Sequence, residues 1–349
     1  MKLVQVAHAI SPCDAASNQI IAMDKLFKKL GYKSEIYAGK VHAFNDIVQP
    51  FSNFVNTPDT QLIYHYSTGT SFTNKIMKYP GNIALYYHNI TPAKYYFGNA
   101  WGSFLHCLKG RLDLDRLLEK TNLVWGASNY SLQECNTSQK SVLPIILDYD
   151  KYLNESINHE LFEQYNDGYL NILFVGRVVP HKGQLDLIKT IDYYQKNINS
   201  KIRLLLVGSQ KGSYIKKLRE VLTSLGTNVE LVGQVNFHDL CTFYRLADVF
   251  LCMSEHEGFC VPLVEAMLFN KPILAYSASA VPETVGDAGV LFTNKNHQMI
   301  AEQIYEFIKS DRLISKQAKN RQDNLRRFHL DNIIKNLDKD LKLLASAGQ

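Results

Sequence analysis

Short apolar runs alternate with longer amphipathic stretches along most of the 349-residue chain. In the first half, apolar runs predict strands at residues 3–6, 34–38, 62–64, 83–87, 123–127 and 142–146. In the second half, they predict strands at residues 170–175, 202–207, 229–232, 249–253, 273–276 and 289–292. Strands separated by helices are typical of βαβ units, so the pattern predicts an α/β fold with mostly parallel sheets.

A polar stretch at residues 154–168 separates the two series of strands. It predicts two Rossmann-like domains, an N-terminal one over residues 1–160 and a C-terminal one over residues 161–327. After residue 327, apolar residues recur at helical spacing. They are Ile333, Ile334, Leu337, Leu341 and Leu344. Segment 328–349 is therefore predicted to be a helix that packs back on the N-terminal domain.

Composition and charge narrow the class of protein. Apolar residues make up 46% of the chain and charged residues 20%, which is enough for packed cores, and the net charge of +5 is too small to indicate a nucleic-acid partner. No apolar run approaches the ~20 residues of a membrane span, and no signal-peptide core follows the first predicted strand. The six cysteines show no C-x-x-C spacing. We therefore expect a cytoplasmic protein and exclude secreted and integral-membrane classes.

A segment rich in glycine and positive charge, GRVVPHKG at residues 176–183, lies between a predicted strand and a predicted helix. Gly176 and Gly183 let the backbone approach a ligand, while Arg177 and Lys182 supply positive charge. The N-terminus of the following helix adds its dipole. The order of residues is not that of a P-loop. The segment predicts a site for a phosphate group.

A second segment, EGFCVPLVEAM at residues 257–267, follows the strand predicted at 249–253. Pro262 suits the first turn of a helix, so Glu257 is predicted in the preceding loop and Glu265 inside the helix. The loop amides that would point toward an anion are those of Gly258, Phe259, Cys260 and Val261. One carboxylate can hold a sugar hydroxyl, and the other can hold the two vicinal hydroxyls of a ribose. The two segments together predict a nucleotide-sugar site.

Residues 171 to about 292 resemble the C-terminal, group 1 domain of the family 4 glycosyltransferases. The pieces that carry the resemblance are FVGR at 174–177, KG at 182–183, LVG at 206–208 and 231–233, YRLAD at 244–248, the E-x7-E pair, and AVPE at 280–283. The resemblance implies the GT-B fold, in which two Rossmann-like domains face each other across a cleft. It also implies sugar transfer with retention of the anomeric configuration.

The resemblance implies a role for each matching residue. Arg177 and Lys182 correspond to ligands of the donor diphosphate, which neutralise charge as the nucleoside diphosphate departs. Glu257 corresponds to the carboxylate that contacts the transferred sugar, and Glu265 to the one that binds the ribose. The other predicted donor-binding positions are Gly176, Gly208, Val235, Gly258, Phe259, Cys260 and Val261.

In the first half, YYHNITP at residues 86–92 resembles a His-Asn-Ile-Thr-Pro signature of one bacterial branch of the family. It implies that His88 ends a strand near the donor sugar. His88 thereby completes the predicted catalytic set with Arg177, Lys182 and Glu257. The loop at residues 11–18 lacks the paired glycines that the family places near the donor phosphates.

The expected function is transfer of a hexose-type sugar from a UDP- or GDP-linked donor. The expected acceptor is a glycan or lipid-linked glycan in bacterial lipopolysaccharide, capsule or exopolysaccharide synthesis. Two other interpretations stay open: a module that binds a nucleotide sugar without turnover, and a sugar-nucleotide epimerase on the same fold.

We expect no cofactor and no required metal ion, with no nucleic acid among the partners. The D-x-D patterns at residues 113–115 and 148–150 are interpreted as incidental, because cationic side chains can take over the charge-stabilising role of a metal. Peripheral contact with the inner membrane surface is a further expectation. The residues that indicate it are Trp101, Phe104, Leu105 and Leu108, beside Lys109 and Arg111.

Overall fold

The computed structural model describes residues 2–12, 14–81 and 83–346 of the chain. These residues form two compact units. The first contains the described residues up to Lys94, together with Trp101–Leu147 and the described residues from Phe328 onward. The second contains Tyr95–Ala100 and Asp148–Arg327. Each unit is built around its own parallel sheet.

The strands described in the first unit are β1 Lys2–Ile10, β2 Lys33–Val41, β3 Val48–Pro50, β4 Thr60–Tyr66, β5 Ile83–Tyr87, β6 Thr121–Gly126 and β7 Lys140–Val142. They pair in parallel in the order β3-β2-β1-β4-β5-β6-β7. The helices between them are α1 Ala15–Lys29, α2 Ser71–Met77, α3 Trp101–Leu118 and α4 Asn129–Leu132. All five residues of β5 are buried, as expected for a strand covered on both faces of a parallel sheet.

Helix α1 illustrates how local sequence sets the ends of an element. Asp14 caps its N-terminus by accepting a hydrogen bond from the Ser17 backbone N–H at 2.9 Å. Lys28 and Lys29 occupy the last turn, where positive charge interacts favourably with the helix dipole. Gly31 then adopts a φ of +85°, a left-handed conformation that ends the helix.

The strands described in the second unit are β8 Leu170–Val175, β9 Ile202–Val207, β10 Val229–Gly233, β11 Val249–Cys252, β12 Ile273–Tyr276 and β13 Val290–Phe292. Its helices are α5 Tyr149–Leu153, α6 His159–Tyr165, α7 Gln184–Asn197, α8 Tyr214–Leu225, α9 Phe237–Leu246, α10 Val261–Leu268, α11 Val281–Val285, α12 His297–Lys309 and α13 Asp311–Leu325. The strand order is β10-β9-β8-β11-β12-β13. Ile172 and Phe174 belong to one core cluster and Leu173 to another, because successive residues of a strand point to opposite faces.

The last helix, α14 Leu330–Ser346, belongs to the first unit. It buries an apolar face that includes Ile333, Leu337 and Leu341. The indole Nε1 of Trp125, on β6, donates a hydrogen bond to Asp340 Oδ2 at 2.7 Å. Because this bond is buried, neither partner has water as an alternative, so it links the helix to the sheet specifically.

The predicted class of two parallel α/β Rossmann-like domains is confirmed. The strands predicted at 83–87, 170–175, 202–207 and 273–276 coincide with β5, β8, β9 and β12. The strand predicted at 142–146 is wrong beyond Val142, because Pro144 has no N–H with which to continue the ladder. Strand β3 was not predicted. The polar stretch at 154–168 contains α6, which Asn158 caps and whose Tyr165 packs into the second core cluster.

Candidate active site

The predicted donor-site residues of the second unit follow the carboxyl ends of four neighbouring strands. Gly176, Arg177 and Lys182 follow β8, Gly208 follows β9, Val235 follows β10, and the segment from Glu257 to Glu265 follows β11. The carboxyl ends of parallel strands meet at one edge of a sheet. In this sheet β8 lies between β9 and β11, which makes the β8–β11 junction a topological switch point.

The loops after β8 and β11 are held together by their backbones. The N–H of Glu255 donates to the carbonyl of His181 at 2.7 Å. Gly183 has a φ of +70°, and a Cβ there would lie 2.3 Å from the carbonyl oxygen of Met253. Only glycine permits this approach. Gly183, predicted from sequence to let the backbone approach a ligand, lets the loop pack against the neighbouring strand end.

Backbone contact also joins the loops after β8 and β9. Gly208 has a φ of +144°, and a Cβ on it would lie 2.1 Å from the carbonyl oxygen of Gly176. Its N–H donates to the carbonyl of Gly233 at 2.7 Å. Gly176 in turn donates to the carbonyl of Val207 at 2.9 Å. Side chains are thus absent at the strand ends where the family resemblance places the nucleotide.

Lys182 and Glu257 form an ion pair across the two loops. The distance between Lys182 Nζ and Glu257 Oε1 is 2.5 Å, and the two side chains are 16% and 11% exposed. Burial alone would lower the pKa of Lys182, but the Glu257 carboxylate outweighs it, and the pKa is raised. The Glu257 backbone N–H donates to the Ser279 hydroxyl at 2.8 Å, which fixes the loop that carries the carboxylate. The site therefore holds a permanent positive charge beside a carboxylate.

Arg177 differs from Lys182 in that its side chain is exposed. Among the described residues, no carboxylate forms an ion pair with it. Its backbone is anchored, because Gln184 Nε2 donates to the Arg177 carbonyl at 2.8 Å. A guanidinium on a fixed backbone and without a carboxylate partner is suited to bind an anion such as a diphosphate.

Glu265 lies on α10 and is buried. Its two carboxylate oxygens accept hydrogen bonds from the hydroxyls of Tyr152, at 2.7 Å, and Tyr244, at 2.6 Å. Burial raises the pKa of Glu265, and the two hydroxyls partly oppose that shift. The carboxylate is therefore held in one orientation by partners from α5 and α9.

The loop that leads into α10 has an unusual backbone. Cys260, the residue that precedes the helix, has a φ of +73°, a conformation that L-residues seldom adopt. The hydroxyl of Thr284 donates to the carbonyl of Phe259 at 2.5 Å. Phe259 and Cys260 are buried, whereas Gly258 and Val261 are partly exposed. Thr284 thus holds the loop in place, while the start of α10 stays accessible to solvent.

One group of side chains could hold a metal ion within the described part of the chain. The ligand atoms of Cys252, Glu257 and Cys260 lie within 4.8 Å of one another. The ammonium of Lys182 already contacts this Glu257 carboxylate, so a cation is present there. One carboxylate of each D-x-D pattern is used otherwise: Asp113 pairs with Lys109, and Asp148 caps α5.

His88 lies in the first unit, directly after β5. Its backbone N–H donates to the carbonyl of Tyr66 at 2.9 Å. Its ring packs against those of Tyr86, at a centroid distance of 4.6 Å, and His65, at 5.3 Å. Burial lowers the pKa of His88 to about 4, so the imidazole is neutral at neutral pH.

The segment after His88 is fixed by a partly buried polar network. Arg111 donates to the carbonyl of Ile90 at 2.8 Å and to Glu134 at 2.7 Å. Tyr87 accepts a hydrogen bond from the Ile90 N–H at 3.1 Å, and its hydroxyl also bonds to Glu134. The His-Asn-Ile-Thr-Pro segment is therefore attached to both α3 and the end of α4.

Residues 159–326 match the family model described as glycosyl transferases group 1. The second unit contains a group 1 domain. That domain includes every predicted site residue except His88. The contacts between the loops after β8, β9 and β11, including the Lys182–Glu257 pair, therefore belong to a region with a shared family sequence.

Two relatives and one solved structure extend this likeness. An uncharacterized glycosyltransferase of Methanocaldococcus jannaschii is 31% identical over 179 residues, covering 49% of this chain and 47% of the relative. The lipopolysaccharide 1,2-N-acetylglucosaminetransferase of Salmonella typhimurium is 31% identical over 124 residues, covering 33% of this chain and 32% of the relative. The chain thus spans less than half the length of either relative.

HepE of Anabaena, solved in complex with UDP and glucose, is similar in fold to the whole chain. Its TM-score is 0.74 at 18% identity, and the alignment covers 98% of this chain and 99% of that one. This likeness includes the first unit as well as the group 1 domain. The predicted GT-B type of fold is confirmed.

Some residues of the site were not predicted from sequence. Tyr152 contacts Glu265 from 113 positions away in the chain, and no local motif marks it. Tyr244 stands in the YRLAD piece, but its contact with Glu265 was not foreseen. His65, beside His88, could have been found from its place at the end of an adjacent strand.

Proposed function

We propose that this protein is a retaining glycosyltransferase of family 4 that moves a hexose-type sugar from a UDP- or GDP-linked donor to a glycan acceptor. The observation that carries the proposal is the buried Lys182–Glu257 pair, at the β8–β11 switch point of a group 1 domain. It supplies charge for a diphosphate and an acceptor for a sugar hydroxyl within one site. Arg177, without a carboxylate partner, adds a second positive charge at the same edge of the sheet.

In the proposed reaction, the bond between the sugar's anomeric carbon and the diphosphate breaks, and a bond from that carbon to the acceptor oxygen forms on the same face. The proton of the acceptor hydroxyl passes to the departing diphosphate oxygen. Lys182 and Arg177 stabilise the charge that develops on the leaving group. Glu257 orients the sugar through a hydroxyl, and Glu265 binds the ribose of the donor.

We propose that no metal ion is needed for this step. The charges of Lys182 and Arg177 can stabilise a departing diphosphate as a divalent cation would. The carboxylate of Glu257 is engaged by Lys182, and those of Asp113 and Asp148 serve α3 and α5. Activity is therefore expected to persist in excess chelator.

The proposed acceptor is a glycan or lipid-linked glycan of bacterial lipopolysaccharide, capsule or exopolysaccharide. The similarity to the Salmonella transferase and the signature that contains His88 support this class of acceptor. We further propose that the protein acts at the cytoplasmic face of the inner membrane.

An apolar row on α3 supports contact with a membrane. Trp101, Leu105 and Leu112 recur at helical spacing and are 57%, 58% and 70% exposed. The neighbouring cations Lys109 and Arg111 pair with carboxylates of the same unit, so the support comes from the apolar side chains. Among the described residues, no helix has both the length and the hydrophobicity needed to cross a bilayer.

A panel of nucleotide sugars tests the proposed function. A donor that binds the folded chain should raise the melting temperature by mass action, and the response should depend on the base and on the sugar. A module without turnover would show the shift but never consume the donor. An epimerase would convert the donor in the absence of an acceptor. No response to any uridine or guanosine nucleotide would contradict the proposal.

A further inference from the structure

Three polar side chains of the first unit, those of His88, His65 and Gln5, form a hydrogen-bonded chain. His88 Nε2 lies 3.1 Å from His65 Nδ1, and His65 Nε2 lies 2.9 Å from Gln5 Oε1. The other end of the Gln5 amide, Nε2, donates to the carbonyl of Ile20 at 3.1 Å. Gln5 and His65 are both buried, on the neighbouring strands β1 and β4.

The direction of every hydrogen bond in this chain follows from the Ile20 carbonyl. A carbonyl only accepts, so the Gln5 amide must direct its NH2 group toward Ile20 and its oxygen toward His65. That oxygen also only accepts, so His65 carries its proton on Nε2. A neutral imidazole has one N–H, which leaves His65 Nδ1 as an acceptor. The Nε2 of His88 must therefore carry the proton of that ring.

Both imidazoles are neutral, as this assignment requires. Burial lowers the pKa of His65 well below its usual range, and the nearby His88 lowers it further. Burial also lowers the pKa of His88 to about 4, although Asp14 opposes the shift. With Nε2 of His88 committed to His65, only Nδ1 remains for a ligand, and it offers a lone pair.

We propose that Gln5 and His65 are positioning residues that hold His88 in its Nε2–H tautomer, so that Nδ1 accepts a hydrogen bond from a substrate hydroxyl. A ring in this state binds a sugar hydroxyl and does not bind a carbonyl or phosphate oxygen. The inference rests on the proposed function in one respect, namely that the hydroxyl belongs to the donor sugar. The tautomer itself does not depend on any substrate.

The ring of Tyr86, stacked on His65, restricts the orientations that the His65 ring can adopt. Tyr86 lies against His65 at a centroid distance of 5.4 Å with an interplanar angle of 20°. The hydroxyl of Tyr86 donates to the carbonyl of Leu143 at 2.7 Å, which fixes that ring in turn. A rotation of His65 would lose hydrogen bonds at both of its nitrogens without gaining others. The chain is therefore expected to adopt a single arrangement.

Nitrogen-15 NMR of the unmodified, histidine-labelled protein tests the tautomer directly. Long-range proton–nitrogen spectra at neutral pH distinguish the two neutral forms from each other and from the charged ring. We expect both His65 and His88 to be neutral Nε2–H tautomers in the absence of ligand. A His88 ring protonated on Nδ1, or a charged ring, would overturn the inference, whatever activity the protein has.

Variants then test the positioning role. His65→Phe keeps a ring against Tyr86 but removes the acceptor for His88, so the His88 signals should show both tautomers. Loss of one oriented hydrogen bond corresponds to a fall of roughly 5- to 30-fold in kcat/KM for the donor sugar. The affinity for the free nucleoside diphosphate, which has no sugar, should not change. His159→Gln, at an exposed histidine of α6, is the control.

Gln5 provides a second variant that does not alter either ring. Gln5→Met removes the oxygen that accepts from His65 Nε2–H, so both rings should show mixed tautomers and kcat/KM should fall as in His65→Phe. Unchanged His65 and His88 spectra in Gln5→Met would contradict the proposed chain. If His65→Phe does not fold, Gln5→Met and the spectrum of the unmodified protein still decide. Correct tautomers with no reaction of any nucleotide sugar would instead contradict the proposed function.

Discussion

The predicted site residues of the two units use different physical chemistry. In the second unit, the central contact is an ion pair, Lys182 with Glu257, between two loops of a group 1 domain. In the first unit, the central contact is a chain of neutral groups that ends at His88. A charged pair can respond to the charge of a leaving diphosphate, whereas a neutral chain can only select among hydrogen-bonding groups. On this comparison rests our proposal that the second unit handles the anion and that His88 of the first unit selects a sugar hydroxyl.

The largest effect is expected at the ion pair. Lys182→Ala removes a charge-assisted contact that strengthens as the diphosphate departs and leaves Glu257 buried without its partner. We expect a loss of roughly 2–4 kcal/mol of transition-state stabilisation, measured as kcat/KM. Lys189→Ala, on the exposed side of α7, is the matched control. If kcat/KM of Lys182→Ala stays within about twofold of the parent value, this pair does not stabilise the departing diphosphate.

The two glutamates should separate binding from turnover within the second unit. Glu265→Gln should weaken binding of the nucleoside diphosphate by roughly 1.5–3 kcal/mol, because a hydrogen bond to a charged group is lost. Glu257→Gln should reduce turnover more than the affinity for the free diphosphate. Isothermal titration with UDP and GDP, together with initial rates, measures both quantities. Equal losses of diphosphate affinity in the two variants would contradict the separate roles.

The attachment of α14 provides a test in which only stability should change. Asp340→Ala leaves the buried indole N–H of Trp125 without an acceptor, which should lower the free energy of unfolding by about 1–3 kcal/mol. Asp338→Ala, on the same helix, removes only an exposed pair with Lys342 and should have little effect. Urea unfolding followed by tryptophan fluorescence compares the two. If Asp340→Ala unfolds like Asp338→Ala, the buried bond contributes nothing.

The neutral state of His88 predicts a modest dependence of stability on pH. Its pKa is about 4 in the folded chain and 6.5 as a free side chain, so the unfolded chain binds the proton more readily. The corresponding stability is present above pH 6.5 and is lost as the pH falls through about 4. Because the ring is partly exposed, we expect a contribution of roughly 1–2 kcal/mol. The urea midpoint of His88→Gln should therefore fall less than that of the parent between neutral and acidic pH. Parallel curves would show that His88 is not held neutral.

The comparison also explains what could be predicted from sequence. The ion pair comes from two short motifs at the ends of strands 170–175 and 249–252, where unbroken apolar runs made the boundaries plain. Buried parallel strands have such runs because both of their faces are covered. Only part of the neutral chain could have been predicted. The place of His65 near the end of a strand can be read from the sequence, but its contact with Gln5 depends on which residues of β1 and β4 lie side by side. Pairing of this kind is a property of the assembled sheet and leaves no local pattern.

Tyr152 shows the same limit within the second unit. It belongs to a five-residue helix, α5, which lies just before the polar stretch at 154–168 and was not predicted. Its hydroxyl nonetheless fixes one oxygen of Glu265, a residue that the E-x7-E motif did identify. Motifs identified the groups that are proposed to meet the ligand, but the groups that orient them come from distant parts of the chain.

The most direct test of the central claim is a proton NMR time course of a nucleotide sugar with the protein in excess chelator. Water can replace the acceptor, so the test does not require the natural acceptor to be known. The account predicts that the sugar is released with the same anomeric configuration that it had in the donor, and that Lys182→Ala slows the release by roughly 30- to 900-fold. Release with inverted configuration, or release only after a divalent metal is added, would contradict it.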